Sequence, residues 1–167
     1  MMALGVLTVG VLGTAAVLAR GMQHLSSSPA DVIVTQKAAQ AVEAVFSARD
    51  SHKVTWPQIK NVRGQTGNDG GIFLDGPQQL HNAGTDGLVD TADDTTGLET
   101  MTLPGKDQTL GTTDDQTNAL TQYTREITIR DVANENGQLR SITVNMTYRS
   151  GPTVKTYTLV TFISAFS

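Results

Sequence analysis

Three stretches near the C-terminus decide the fold: YTREITIRDV at 123–132, LRSITVNMTY at 139–148 and VKTYTLVTFI at 154–163. In the first, Tyr123, Arg125, Ile127 and Ile129 alternate with Thr124, Glu126, Thr128 and Arg130. Successive side chains of a strand point to opposite faces, so a period of two makes one apolar and one polar face. The second stretch repeats the pattern, with Ile142, Val144, Met146 and Tyr148 on one face. The third is rich in threonine and in residues that favour strands: Val154, Tyr157, Leu159, Val160, Phe162 and Ile163. Asn136-Gly137 and Ser150-Gly151-Pro152 lie between them and read as turns. The expectation is an antiparallel β-meander over residues 123–167, with one face that needs a cover.

The cover is found upstream. Val34, Ala38, Ala41, Val45 and Ala48 step along one face of a helix, widened by Val42 and Phe46. Ser28-Pro29, with Asp31 behind it, is a helix start: a capping residue, a proline in the first turn and an acid near the N-terminus. An amphipathic half-helix is expected over 26–52, ending near Asp50. Ahead of it, Met1–Ala19 carries no charge. As a helix it would span ~28 Å, close to a hydrocarbon core of roughly 30 Å. Residues 1–25 are therefore read as an apolar, membrane-inserting half-helix, with a loosened joint between Gly21 and Ser28. A signal peptide cut after Val17-Leu18-Ala19 is the rival reading, but no basic stretch precedes the apolar run.

An apolar half-helix, an amphipathic half-helix and a closing meander together resemble a type IV pilin-like protein. Residues 1–13, MMALGVLTVGVLG, are similar to the start of the mature chain in the PilV-like minor pilins. Residues 154–164, VKTYTLVTFIS, are similar to that subgroup's last strand. The likeness covers the two ends of the chain and not the middle. The family's aromatic residue and glutamate are missing from residues 1–13, and that motif is expected just upstream of Met1. The resemblance implies an α+β fold: a long N-terminal helix packed on a C-terminal antiparallel sheet, with a large acidic loop region between. It also implies assembly with other copies or related pilins into a helical filament, held in the inner membrane before assembly and extracellular afterwards.

The middle of the chain, 53–122, is of another kind. Residues 61–122 hold ten acidic residues against two basic ones, and ten of the sixteen glycines. Only 15 of these 62 residues are apolar, too few for a conventional core. Within this stretch GTDGLVDTADDTT at 84–96 aligns with GKDQTLGTTDDQT at 105–117, an offset of 21 residues with six identities. Gly67-Asn68-Asp69-Gly70 repeats only the opening turn. Carboxylates and bend carbonyls, with no nitrogen or sulfur donor, make the ligand set of a hard cation such as Ca2+. The expected ligands are Asp86, Asp90, Asp93 and Asp94 in the first copy, and Asp107, Asp114 and Asp115 in the second. Glutamate is missing from the twelfth position, so neither copy is an EF-hand. The pattern resembles the GxDGxxGTxDD loops of secreted bacterial proteins, where calcium binding is a frequent reading. The other reading is plain Asp/Gly turns closed by their own side chains.

Composition removes several classes. The chain has no cysteine, so disulfides, thiol catalysis and Cys-ligated metals are excluded. Its histidines (His24, His52, His81) show no metal-binding spacing. A net charge of −4 disfavours nucleic acid. Asp86 and Asp93 could form an acid–base pair, but no histidine or nucleophile motif accompanies them, so no enzyme and no catalytic residue is expected. His81 reads as a solvated loop residue, Trp56-Pro57 as a packing anchor, and the Asn145-Met146-Thr147 sequon as ordinary strand. The expected function is a structural subunit of a type IV pilus or similar filament with a calcium-stabilised loop. The alternatives are a membrane-anchored, calcium-dependent adhesion domain and a type II secretion pseudopilin.

Overall fold

The computed structural model describes residues 30–150 and 152–166. The expected apolar half-helix 1–25 and the joint at 21–28 lie outside the described residues. Helix α1 occupies residues 30–50. Its inward stripe is Ile33, Val34, Ala38, Ala41, Val45 and Ala48, all buried. Three alanines on that stripe let the helix approach the sheet closely. The helix stops in a hydrogen-bonded C-terminal turn: Lys53 N–H donates to Ala48 O at 2.9 Å and His52 N–H to Arg49 O at 2.9 Å. His52 takes a left-handed φ of 56°, the conformation such an ending requires.

Six strands follow among the described residues: β1 (Gln78–Gln79), β2 (Thr100–Leu103), β3 (Gln116–Ala119), β4 (Tyr123–Asp131), β5 (Leu139–Ser150) and β6 (Thr153–Ser164). The main sheet has the order β1-β4-β5-β6, and β2 and β3 form a separate hairpin. All pairings are antiparallel. Ile127 sits opposite Val144 and Ile129 opposite Ile142, so the buried faces of β4 and β5 are in register. That face shares one core with the α1 stripe. The other face carries Thr124, Glu126, Thr128, Ser141, Thr143 and Thr147, all half-exposed. Asn136 and Gly137 both have positive φ, as the turn reading requires, but they sit in a wider loop that closes with Val132 N–H on Leu139 O at 3.0 Å.

The expected fold class, a long N-terminal helix packed on a sheet in the α+β, pilin-like manner, is corrected. The described helix is short, residues 30–50, and strands dominate the rest, so the described chain is mainly β. Most of the strand residues lie in β4, β5 and β6, and the middle segment, expected as a loop region, adds only the short β1, β2 and β3. Part of its apolar residues are drawn inward: Ile59, Phe73, Leu80 and Leu88 are each 0% exposed and belong to the common core, while Val62, Leu103 and Leu110 stay exposed. Single-residue bridges tie it together at Asn61–Phe73, Phe73–Thr91 and His81–Leu98. Burial of each such side chain contributes roughly 1.5–3 kcal/mol, so a few well-placed residues order a stretch that looks too polar by count. Among the described residues, no helix is long and apolar enough to cross a membrane.

Candidate functional site: two matching aspartate loops and a buried chain of charges

The 21-residue offset is a structural repeat. In the first copy Asp93 Oδ2 accepts from Thr85 N–H at 2.8 Å and Asp86 N–H at 3.2 Å. In the second, Asp114 Oδ2 accepts from Lys106 N–H at 2.7 Å and Asp107 N–H at 3.3 Å. Leu88 N–H donates to Asp86 Oδ1 at 2.8 Å, and Thr109 N–H to Asp107 Oδ1 at 2.9 Å. Asp90 N–H donates to Asp94 Oδ2 and Gly111 N–H to Asp115 Oδ2, both at 2.7 Å. The Thr91 hydroxyl bridges Asp93 and Asp94 as the Thr112 hydroxyl bridges Asp114 and Asp115. Gly84 and Gly105 are required for the same reason, because a Cβ at either would overlap Asp93 or Asp114. Each loop is thus closed by carboxylates that satisfy its own backbone N–H groups.

The third fragment uses the same device. Asp69 accepts from Gln65 and Thr66 N–H at 2.9 Å each, and Asp75 accepts from Arg63 N–H at 2.8 Å. Hydrogen bonds set the acidity of these groups. The Thr91 hydroxyl and backbone N–H donors hold Asp93 down at about 2, and the Thr66 hydroxyl does the same for Asp69, also at about 2. The Thr112 hydroxyl lowers Asp114. Asp93 is thus fully ionised near neutral pH, the opposite of what a general acid needs.

The copies differ in where they sit. In the first, Leu88 and Asp90 enter the core, whereas the second is exposed from Lys106 to Asp114. Asp90 Oδ1 accepts from Arg125 Nη2 at 3.0 Å and Nε at 3.1 Å. Arg125 Nη1 donates to Glu99 at 3.1 Å, and Lys37 Nζ of α1 reaches the other Glu99 oxygen at 2.6 Å. Four alternating charges therefore run from the first loop through β4 to the helix. Burial pushes the Asp90 carboxyl up while Arg125 pulls it back, and burial also raises Asp94. A cleft of about 330 Å³ opens over this chain, lined by Lys37, Gln40, Asn82, Glu99, Thr100 and Arg125.

Asp90 is withdrawn from the expected calcium ligands by Arg125. The other six expected ligands remain together by copy: Asp86, Asp93 and Asp94 around one bend, and Asp107, Asp114 and Asp115 around the other. The donor chemistry, oxygen only, suits a hard cation. Among the described residues, no three acidic or histidine side chains converge as a preformed metal cage. A cation at either loop competes with the N–H and hydroxyl donors that already hold the carboxylates.

Several residues carry roles that periodicity did not single out. In the sequence Arg125 is one step of an alternating strand, with nothing to mark it as the centre of an ion network. Asn61 is 2% exposed and joins three segments, donating to Leu74 O and Ile127 O and accepting from Ile129 N–H at 2.7 Å. His81 is corrected from a solvated residue: it is half-buried, and its Nδ1 is enclosed without a hydrogen-bond partner among the described residues. Trp56 is an anchor as expected, its Nε1 donating to Gly137 O at 2.8 Å and its ring 4.0 Å beneath Arg140. Compared with known proteins, the chain matches no family model, no curated protein and no solved structure.

Proposed function

We propose that this chain is a structural subunit of an extracellular filament of the type IV pilus kind. The observation that carries the reading is the nineteen-residue uncharged run Met1–Ala19, placed ten residues ahead of a helix whose apolar stripe is sealed on its own sheet. The helix therefore has its apolar face covered, while the uncharged run has the composition of a segment that lipid would cover before assembly and neighbouring subunits afterwards. The head contributes an outer sheet face that is threonine-rich on β4 and β5 and apolar on β6, and two closed acidic loops, surfaces suited to contacts between subunits. Calcium belongs to the same proposal: Asp86, Asp93 and Asp94 would hold one ion and Asp107, Asp114 and Asp115 a second, relieving the charge crowded between residues 61 and 122.

The matched loops also support a second reading, a membrane-anchored, calcium-dependent adhesion domain that never polymerises. A pseudopilin of type II secretion is a variant of the first. Electron microscopy of sheared cell-surface material, followed by mass spectrometry of the fibres, separates them. This chain in ordered fibres is the expected result. Its confinement to the membrane fraction, with none in fibres, would reject the filament.

A further inference from the structure

The main sheet ends very differently on its two sides. One edge is β1, of two residues. The other is β6, twelve residues paired to β5 at every position from Thr153–Ser150 to Ser164–Leu139 without a bulge. Among the described residues nothing pairs with its outer side. Proteins blunt long edges with charges, prolines, bulges or short strands. Across Thr153–Ser164, β6 has one charge, Lys155, and none of the other devices. It also exposes apolar side chains on the outer face, Val154 at 56%, Val160 at 54% and Phe162 at 56%, and leaves Tyr157 and Leu159 only half covered on the helix face.

We infer that the outer edge of β6 is a self-pairing interface, where β6 of a second copy docks antiparallel about a two-fold axis through Thr158. The sequence of the edge selects this occupant and this register. A two-fold perpendicular to the sheet keeps each side chain on its own face, so opposed residues must have the same parity. Centred on Thr158, Val154 meets Phe162 of the second copy on the outer face, and Tyr157 meets Leu159 on the helix face. Each apolar pair occurs twice by symmetry. Lys155 meets Thr161, so no like charges oppose each other. Shifting the centre to Leu159 would place Val154 against Ser164 and Phe162 against Thr156, losing the apolar match. The product is a continuous eight-stranded sheet with both helices on one face. The inference does not rest on the filament reading.

The absence of cysteine makes the test clean. The full-length chain carrying Thr158→Cys, purified in detergent and oxidised, is expected to run as a disulfide dimer on a non-reducing gel, because residues directly opposed across an antiparallel pair are within bridging distance. Thr156→Cys alone and Val160→Cys alone are expected to stay monomeric, since each lies four positions from itself across the axis, about 13 Å. Mixed together, those two variants should cross-link. Thr143→Cys, one strand further in, is the monomeric control. Adding Val160→Lys and Phe162→Lys to Thr158→Cys should abolish the dimer while the β signature in circular dichroism is kept. No dimer from Thr158→Cys, equal yield from Thr156→Cys or Thr143→Cys alone, or a dimer undiminished by the two lysines would each overturn the interface.

Discussion

Asp90 and Arg125 form a two-point ion pair with the carboxylate at 1% and the guanidinium at 2% exposure, thirty-five residues apart in sequence. Asp90 also has a positive φ of 61°, where its counterpart in the second loop is Gly111. Asp90→Gly therefore keeps the backbone turn and removes the carboxylate that pairs with Arg125. It leaves Arg125 buried with Glu99 alone, and breaking such a pair costs about 3–5 kcal/mol. Urea unfolding should show a loss of that size. A loss under about 1 kcal/mol, the scale of an exposed pair, would mean that the first loop is not anchored by this contact.

Asn61 offers a second test of how the middle segment is held. Its side chain satisfies Ile129 N–H and the carbonyls of Leu74 and Ile127. Asn61→Leu is close in size but can pair with none of them. Each buried group left alone costs roughly 1–3 kcal/mol. The variant should unfold at markedly lower denaturant, with faster amide exchange at Ile129 than at Ile142. Unchanged exchange at Ile129 would show the bond to be dispensable.

Acid should loosen the loops in a defined window. Asp93 and Asp69 sit at about 2 in the folded chain against 3.8 for an unperturbed carboxyl. Because the folded values are depressed, these groups stabilise fully above the unfolded value, and their contribution is lost as pH falls from about 4 to about 2. Asp94 and Asp90 oppose this, since burial raises theirs and proton uptake there favours the folded state. Carbon-detected titration of the side-chain carboxyls should place the Asp93 midpoint well below 3. A midpoint near 4 would mean that the Thr91 and backbone bonds do not form in solution.

Calcium should raise the melting temperature of the full chain. Ligand present at a hundredfold excess over Kd adds about 2.7 kcal/mol to a state that alone binds it. Asp93→Ala removes acceptors for Thr85, Asp86 and Thr91, so it should melt lower even in chelator. The informative quantity is the gap between calcium and chelator, which Asp86→Ala with Asp107→Ala should close. Identical melting curves in both conditions for the unmodified chain would reduce the loops to self-closed turns.

Filament assembly should fail when a charge enters the apolar run. Leu7→Asp carries an insertion cost of about 2.5–3.5 kcal/mol at the centre of a membrane helix. The expected outcome is loss of fibres, with the β signature of the head retained in circular dichroism. Normal fibres from this variant would refute assembly through residues 1–19.

Some of this was readable from residue order alone. The alternation through Ile127, Ile129, Ile142, Val144 and Met146 and the spacing of Val34, Ala38, Ala41, Val45 and Ala48 specify the buried faces, because strand and helix periods act between near neighbours. The 21-residue repeat was equally visible, since its Asp, Thr and Gly residues bond within a span of about ten positions. Tertiary structure decided the rest. Two loops of one pattern take different fates: Leu88 and Asp90 are drawn into the core, where Arg125 neutralises the buried carboxylate, while Thr109 and Gly111 in the second stay outside and carry no charge that needs a partner. The same holds for Asn61, whose partners lie 66 and 68 positions away, and for Ile59, Phe73 and Leu80, which order a segment that its composition marks as loop. A buried polar group is stable only where its partner arrives, and that meeting is set by how the chain closes on itself rather than by any local pattern.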